Sequence, residues 1–123
     1  MLFISSTFLK DGTSFLEASK ICESNGIFNI EIGSNHSYED DYTYIKKLRK
    51  FNFIVHNYFP IPKENFVVNI ASLDENIRKK SLLHIQNSIN FCHEVGAQLY
   101  TFHPGFITDP NGESLSKKNY DFN

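Results

Sequence analysis

Phe53-Ile54-Val55-His56-Asn57-Tyr58-Phe59-Pro60 is the stretch on which the reading of this chain turns. A short run of β-branched and aromatic residues ends on a polar side chain and is stopped by proline, the pattern of a buried strand. Leu99-Tyr100-Thr101-Phe102-His103-Pro104-Gly105-Phe106 repeats it. One long helical pattern lies between the two. Strand, helix, strand is a right-handed βαβ unit. In such units ligands gather at the carboxyl ends of the parallel strands. Two imidazoles reaching that edge from neighbouring strands point to a metal or an anionic substrate.

The helix between them opens at Ser72 with Glu75 three residues on, a capping box, and closes at Gly96. Leu82, Ile85, Ile89, Cys92 and Val95 recur at helical spacing and form its expected apolar face. Towards the N-terminus the same rhythm recurs. Leu2–Thr7 reads as a buried strand, and Ser14 with Glu17 caps a helix burying Phe15, Leu16, Ala18 and Ile21 before Gly26. Ile27–Gly33 reads as a second strand carrying Glu31. A further helix is expected over about Asp41–Lys50, with Tyr44, Ile45 and Leu48 inward. The whole is α/β: (βα)3β, four parallel strands with three helices on one side. An eight-unit barrel takes about 250 residues, and 123 residues correspond to half of one. Beyond the fourth strand stand a turn signal, Asp109-Pro110-Asn111-Gly112, then Lys117 and Lys118, with no fourth helix expected.

Composition narrows the function. Hydrophobic residues make up 41% and charged residues 21%, the balance of a packed domain. A formal net charge of −2, with Arg49 and Arg78 the only arginines, leaves no basic footprint, so no nucleic-acid partner is favoured. Apolar runs are too short for a membrane span, the start lacks a signal peptide, and a cytoplasmic location is expected. Cys22 and Cys92 lack metal or disulfide spacing and read as small buried hydrophobes. There is no phosphate-binding glycine loop, nucleophile elbow or HExxH pattern.

His56-Asn57-Tyr58-Phe59-Pro60-Ile61-Pro62, Phe66-Val67-Val68-Asn69-Ile70-Ala71-Ser72 and Phe102-His103-Pro104-Gly105 together resemble the sugar phosphate isomerase/epimerase family. That family has the xylose-isomerase-like TIM barrel and is related to endonuclease IV. The resemblance covers nearly all of residues 1–123, as the N-terminal half of the family domain. It implies a sugar or sugar phosphate isomerase or epimerase, dependent in its complete form on a divalent metal such as zinc or manganese. In the endonuclease IV branch the matching histidines are zinc ligands, which carries over to His56 and His103. An endonuclease IV-like phosphodiesterase is therefore the alternative enzyme, and a non-catalytic half-barrel or assembly module the alternative of another class.

The residues support convergence of the two histidines independently. Adjacent strands lie about 4.8 Å apart, close enough for both rings to reach one ion at roughly 2.0–2.1 Å. Strict alternation places Ile54, His56 and Tyr58 on one face, with Thr101 and His103 on a shared face. Glu31 is a candidate to contact a substrate hydroxyl or support a histidine, against a solvated rim carboxylate. Tyr58 is a candidate donor to a substrate oxygen, against a buried aromatic with one hydrogen bond. Ser5 and Ser6 read as pocket wall or as satisfiers of backbone groups, and the segment from Phe59 to Ile70 as a lid or wall over the strand ends. His36, His84 and His93 are given no role, the last two as helix residues away from the strand ends. Four strands alone would expose an apolar inner face, including Ile4, Ile54 and Leu99. Self-association or a missing C-terminal half is expected to cover it, and the chain by itself is expected to be inactive.

Overall fold

The computed structural model describes residues 1–107 and 109. Its four strands, β1 (Ile4–Ser5), β2 (Asn29–Ile32), β3 (Asn52–His56) and β4 (Tyr100–Thr101), lie side by side in sequence order and are all parallel. Two α-helices, α1 (Phe15–Ser24) and α2 (Glu75–Val95), alternate with them. This all-parallel α/β order is consistent with part of a TIM barrel. The turn signal at 109–112 and the following lysines lie, apart from Asp109, outside the described residues.

One face of the sheet makes the core. Ile30, Ile32, Phe53 and Val55 project from it and pack with Phe15, Ala18 and Cys22 of α1 and Phe91 and Cys92 of α2. Tyr42 and Ile45 join the same cluster, so all the connections cross one side of the sheet. Both cysteines are buried and free, and burial raises their pKa. The opposite face is open, with Leu99 53% exposed and Ile54 half-buried. Ile4, expected there, instead lies on the helix side, because it pairs in register with the core residue Ile30.

Local chemistry explains where the elements depart from expectation. Ser14 caps α1 as its spacing predicts, its Oγ accepting from the Glu17 amide at 3.2 Å. The expected second helix is only a 3-10 turn, Thr43–Lys47, closed by i→i+3 bonds from Ile45 to Tyr42 and Leu48 to Ile45. Its Thr, Tyr and Ile are poor helix formers, and the Asp41 carboxylate binds both the amide and the hydroxyl of Thr43. Asp74, rather than Ser72, caps α2, its carboxylate accepting from the Asn76 and Ile77 amides. The buried stripe of α2 is also rotated from the expected one. Ser81, His84, Ile85, Ser88, Phe91 and Cys92 face inward, while Leu82 and Ile89 stay about half exposed. Ser81 and Ser88 are tolerated inside because their hydroxyls donate to the Ile77 and His84 carbonyls one turn back.

Candidate metal centre at the carboxyl edge of the sheet

β3 and β4 deliver the two histidines to the same place. His56 is the last residue of β3 and pairs in register with Thr101 of β4. Phe53, Val55 and Tyr100 are on the helix side, so alternation sends Ile54, His56 and Thr101 to the open face. The rings of His56 and His103 meet edge to face, centroids 5.4 Å apart and planes at 87°. Nδ1 of His56 lies 2.8 Å from Oγ1 of Thr101. With Nδ1–H donating to that hydroxyl, Nε2 carries the lone pair and is the nitrogen left for a ligand.

Glu31 lies on the same face. It is half-buried and pairs with Ser5 on one side and Ile54 on the other, one pleat before His56.

Tyr58 departs from the face that alternation gives it. Asn57 takes a left-handed conformation, φ 51°, which asparagine tolerates, and this breaks the two-residue period. The turn is held from three directions. The Asn57 amide donates to the Thr101 carbonyl at 2.7 Å, and its carbonyl accepts from the Tyr100 hydroxyl at 2.8 Å and faces His84 Nε2 at 3.3 Å. Tyr58 is thereby turned into a second cluster with Val68 and Ile85, where its hydroxyl accepts from the Val68 amide. The segment from Phe59 to Ile70 follows it: Val68 is buried there, and Phe66 packs edge to face on Tyr58 and His84.

His84 is therefore not remote from the strand ends; it braces the turn that follows β3. His36 is also structural. Its Nδ1 donates to the Thr13 carbonyl at 2.9 Å, and its Nε2 accepts from Ser6 Oγ at 2.7 Å. Ser6 is fully buried and accepts in turn from the Gly33 amide. The pair ties the loop after β1 to the loop after β2, and its hydroxyl is sealed from any substrate. Burial lowers the pKa of both His36 and His84.

Among the described residues no group of three or more His, Cys, Asp and Glu is arranged to hold a metal ion. The donor set of the pair nevertheless suits zinc, which takes neutral imidazole nitrogens and completes a set of four. His56 has one nitrogen oriented by Thr101, and His103 stands exposed beside it. Two imidazoles are thus half of such a set. Sequence reasoning placed Thr101 on this face but did not pair it; only the strand register reveals the partner.

A parallel sheet with ligand-capable side chains at its carboxyl edge defines the class: a partial α/β barrel. Comparison with known proteins sharpens this. The chain is 36% identical over 77 residues to a probable endonuclease 4 of Aquifex aeolicus, covering 60% of this chain and 26% of that protein. It is 35% identical over 57 residues to apurinic-apyrimidinic endonuclease 1 of Plasmodium falciparum, covering 46% of this chain and 9% of that one. The Plasmodium berghei protein of the same name matches at 33% over 57 residues. The chain thus spans about a quarter or less of the length of these relatives. No protein-family model and no solved structure matches it.

These likenesses correct one expectation. Net charge argued against a nucleic-acid partner, yet the similar proteins carry the names of nucleases. The sum of charges failed because it averages over a whole chain, and here over a chain matching a small share of its relatives. Recognition of a phosphate backbone depends on where cations sit. The likenesses also favour the endonuclease IV branch over the isomerase branch. Among the described residues, no helix is long and apolar enough to cross a membrane.

Proposed function

We propose that this chain is the N-terminal part of an endonuclease IV-like phosphodiesterase acting on abasic DNA. The observation that carries the reading is the His56–His103 ring pair at the carboxyl edge, in a chain whose similar proteins are named endonucleases. His56 and His103 are the residues that would hold a divalent metal, zinc by their nitrogen chemistry. When bound, such a metal supplies Lewis acidity toward a phosphate oxygen.

The chain's own residues do the rest of what can be derived. Thr101 holds the His56 ring so that one nitrogen faces the open side of the sheet. Glu31, one pleat away, places a carboxylate on that side to accept a hydrogen bond from a ligated imidazole or from substrate. Asn57 and Tyr58 set the turn that keeps His56 at the rim. Two imidazoles supply two of the four ligands that zinc usually takes.

The test is binding and cleavage of a duplex oligonucleotide with one abasic site, with zinc, against the intact duplex. Preference for the abasic duplex that is lost with His56→Ala supports the reading. Equal binding to both duplexes with no cleavage, together with turnover of a sugar phosphate, overturns it.

A further inference from the structure

Asn69 stands outside the imidazole pair but controls the segment that carries one of its members. It is 1% exposed. Its amide donates to Ser81 Oγ on α2 at 2.9 Å, and its Oδ1 accepts from the amides of Ala71 (3.1 Å) and Phe106 (3.2 Å). Its Nδ2 donates to Asp109 Oδ1 at 2.7 Å, while Asp109 Oδ2 accepts from the Ser72 hydroxyl at 2.6 Å. Beside these, the Ile70 amide donates to the Pro104 carbonyl at 2.9 Å. Gly105, at φ 146°, lies so close that an added Cβ would run into Asn69 Oδ1; only glycine permits that approach.

The bond to Ala71 is an ordinary Asx turn, which a local loop would explain. Those to Phe106 and Asp109 reach 37 and 40 residues along the chain, and a local turn has no use for them. They matter to His103 because sheet pairing has already ended at Thr101. Past that point, the course of residues 103–106 is set by what Pro104, Gly105 and Phe106 are fastened to. That anchor is the 69–72 loop, itself pinned to α2 through Ser81.

We propose that Asn69 is the positioning residue for His103: its side-chain amide, braced by Asp109, seats the 104–106 segment where the His103 ring meets His56. The proposal deepens the reading of the imidazole pair and rests on it for function. Its test reads the ring contact itself, so a chain that binds no metal leaves it standing.

The experiment is proton NMR of the full chain, following the nuclear Overhauser cross-peak between the His56 and His103 rings. It should be present in the unsubstituted chain. Asn69→Ala should abolish it while the amide resonances of β1, β2 and β3 stay in place. Asn69→Asp should abolish it too, by setting two carboxylates against each other. Asn69→Asp combined with Asp109→Asn exchanges donor and acceptor and should bring the cross-peak back. Gly105→Ala, which forces the same segments apart without altering the amide, should lose it and serves where Asn69→Ala does not fold. A cross-peak that is absent in the unsubstituted chain, or that persists in Asn69→Asp or Gly105→Ala, overturns the proposal. So does a double variant with native amide resonances and no restored contact.

Discussion

His56 and Thr101 face each other across the β3–β4 pair, and the ring Nδ1 of the one lies 2.8 Å from the hydroxyl of the other. This contact chooses which imidazole nitrogen is left over. Thr101→Val keeps a β-branched residue in the strand and removes only the hydroxyl. Partners of this kind typically contribute 10–100-fold to metal affinity. Zinc binding by competition titration should weaken by about 10–100-fold with an unchanged far-ultraviolet circular dichroism spectrum. Unchanged affinity would show that the hydroxyl does not orient the ring.

The helix side of the sheet depends on Phe15, the first residue of α1, which is fully buried and meets the rings of His36 and Phe53 edge to face. Phe15→Ala opens a cavity where α1 crosses the sheet, a change that costs about 3–5 kcal/mol. Urea denaturation should show that loss. A loss below about 1 kcal/mol, smaller than any full core truncation, would mean that α1 does not pack as described.

Stability should fall on mild acidification. Burial lowers the folded-state pKa of His36 and His84, so the unfolded chain binds more protons than the folded one once the ordinary imidazole value, about 6.5, is approached. The stabilisation is complete above that value and is lost as pH falls towards and through the folded pKa. Protonation of His36 would also turn its Nε2 from acceptor to donor against Ser6, whose hydroxyl already accepts from Gly33. The melting temperature should therefore drop between pH 7.5 and 5.5, and less so in His36→Gln. A melting temperature that is level or rises over that range would contradict this.

Much of this architecture was legible in particular residues. The apolar runs ending at His56 and His103, and the Ser14–Glu17 cap, gave the parallel order and the shared edge because strand pattern and capping are local. The orientation of Tyr58 was not legible. Alternation fails at Asn57, whose left-handed turn is set by Thr101, Tyr100 and His84, residues distant in sequence. The face of α2 was misjudged because buried serines satisfied within the helix look polar in a pattern count. Asn69 resembled any loop asparagine until its partners at 106 and 109 were placed beside it.

Zinc titration of three chains tests the central claim most directly: the unsubstituted protein, His56→Ala and His103→Ala. If the edge-to-face rings form one metal centre, the unsubstituted chain binds zinc, and each variant loses that binding at concentrations that saturate it, with the helix and sheet signals retained. Equal zinc binding by all three chains would contradict the account.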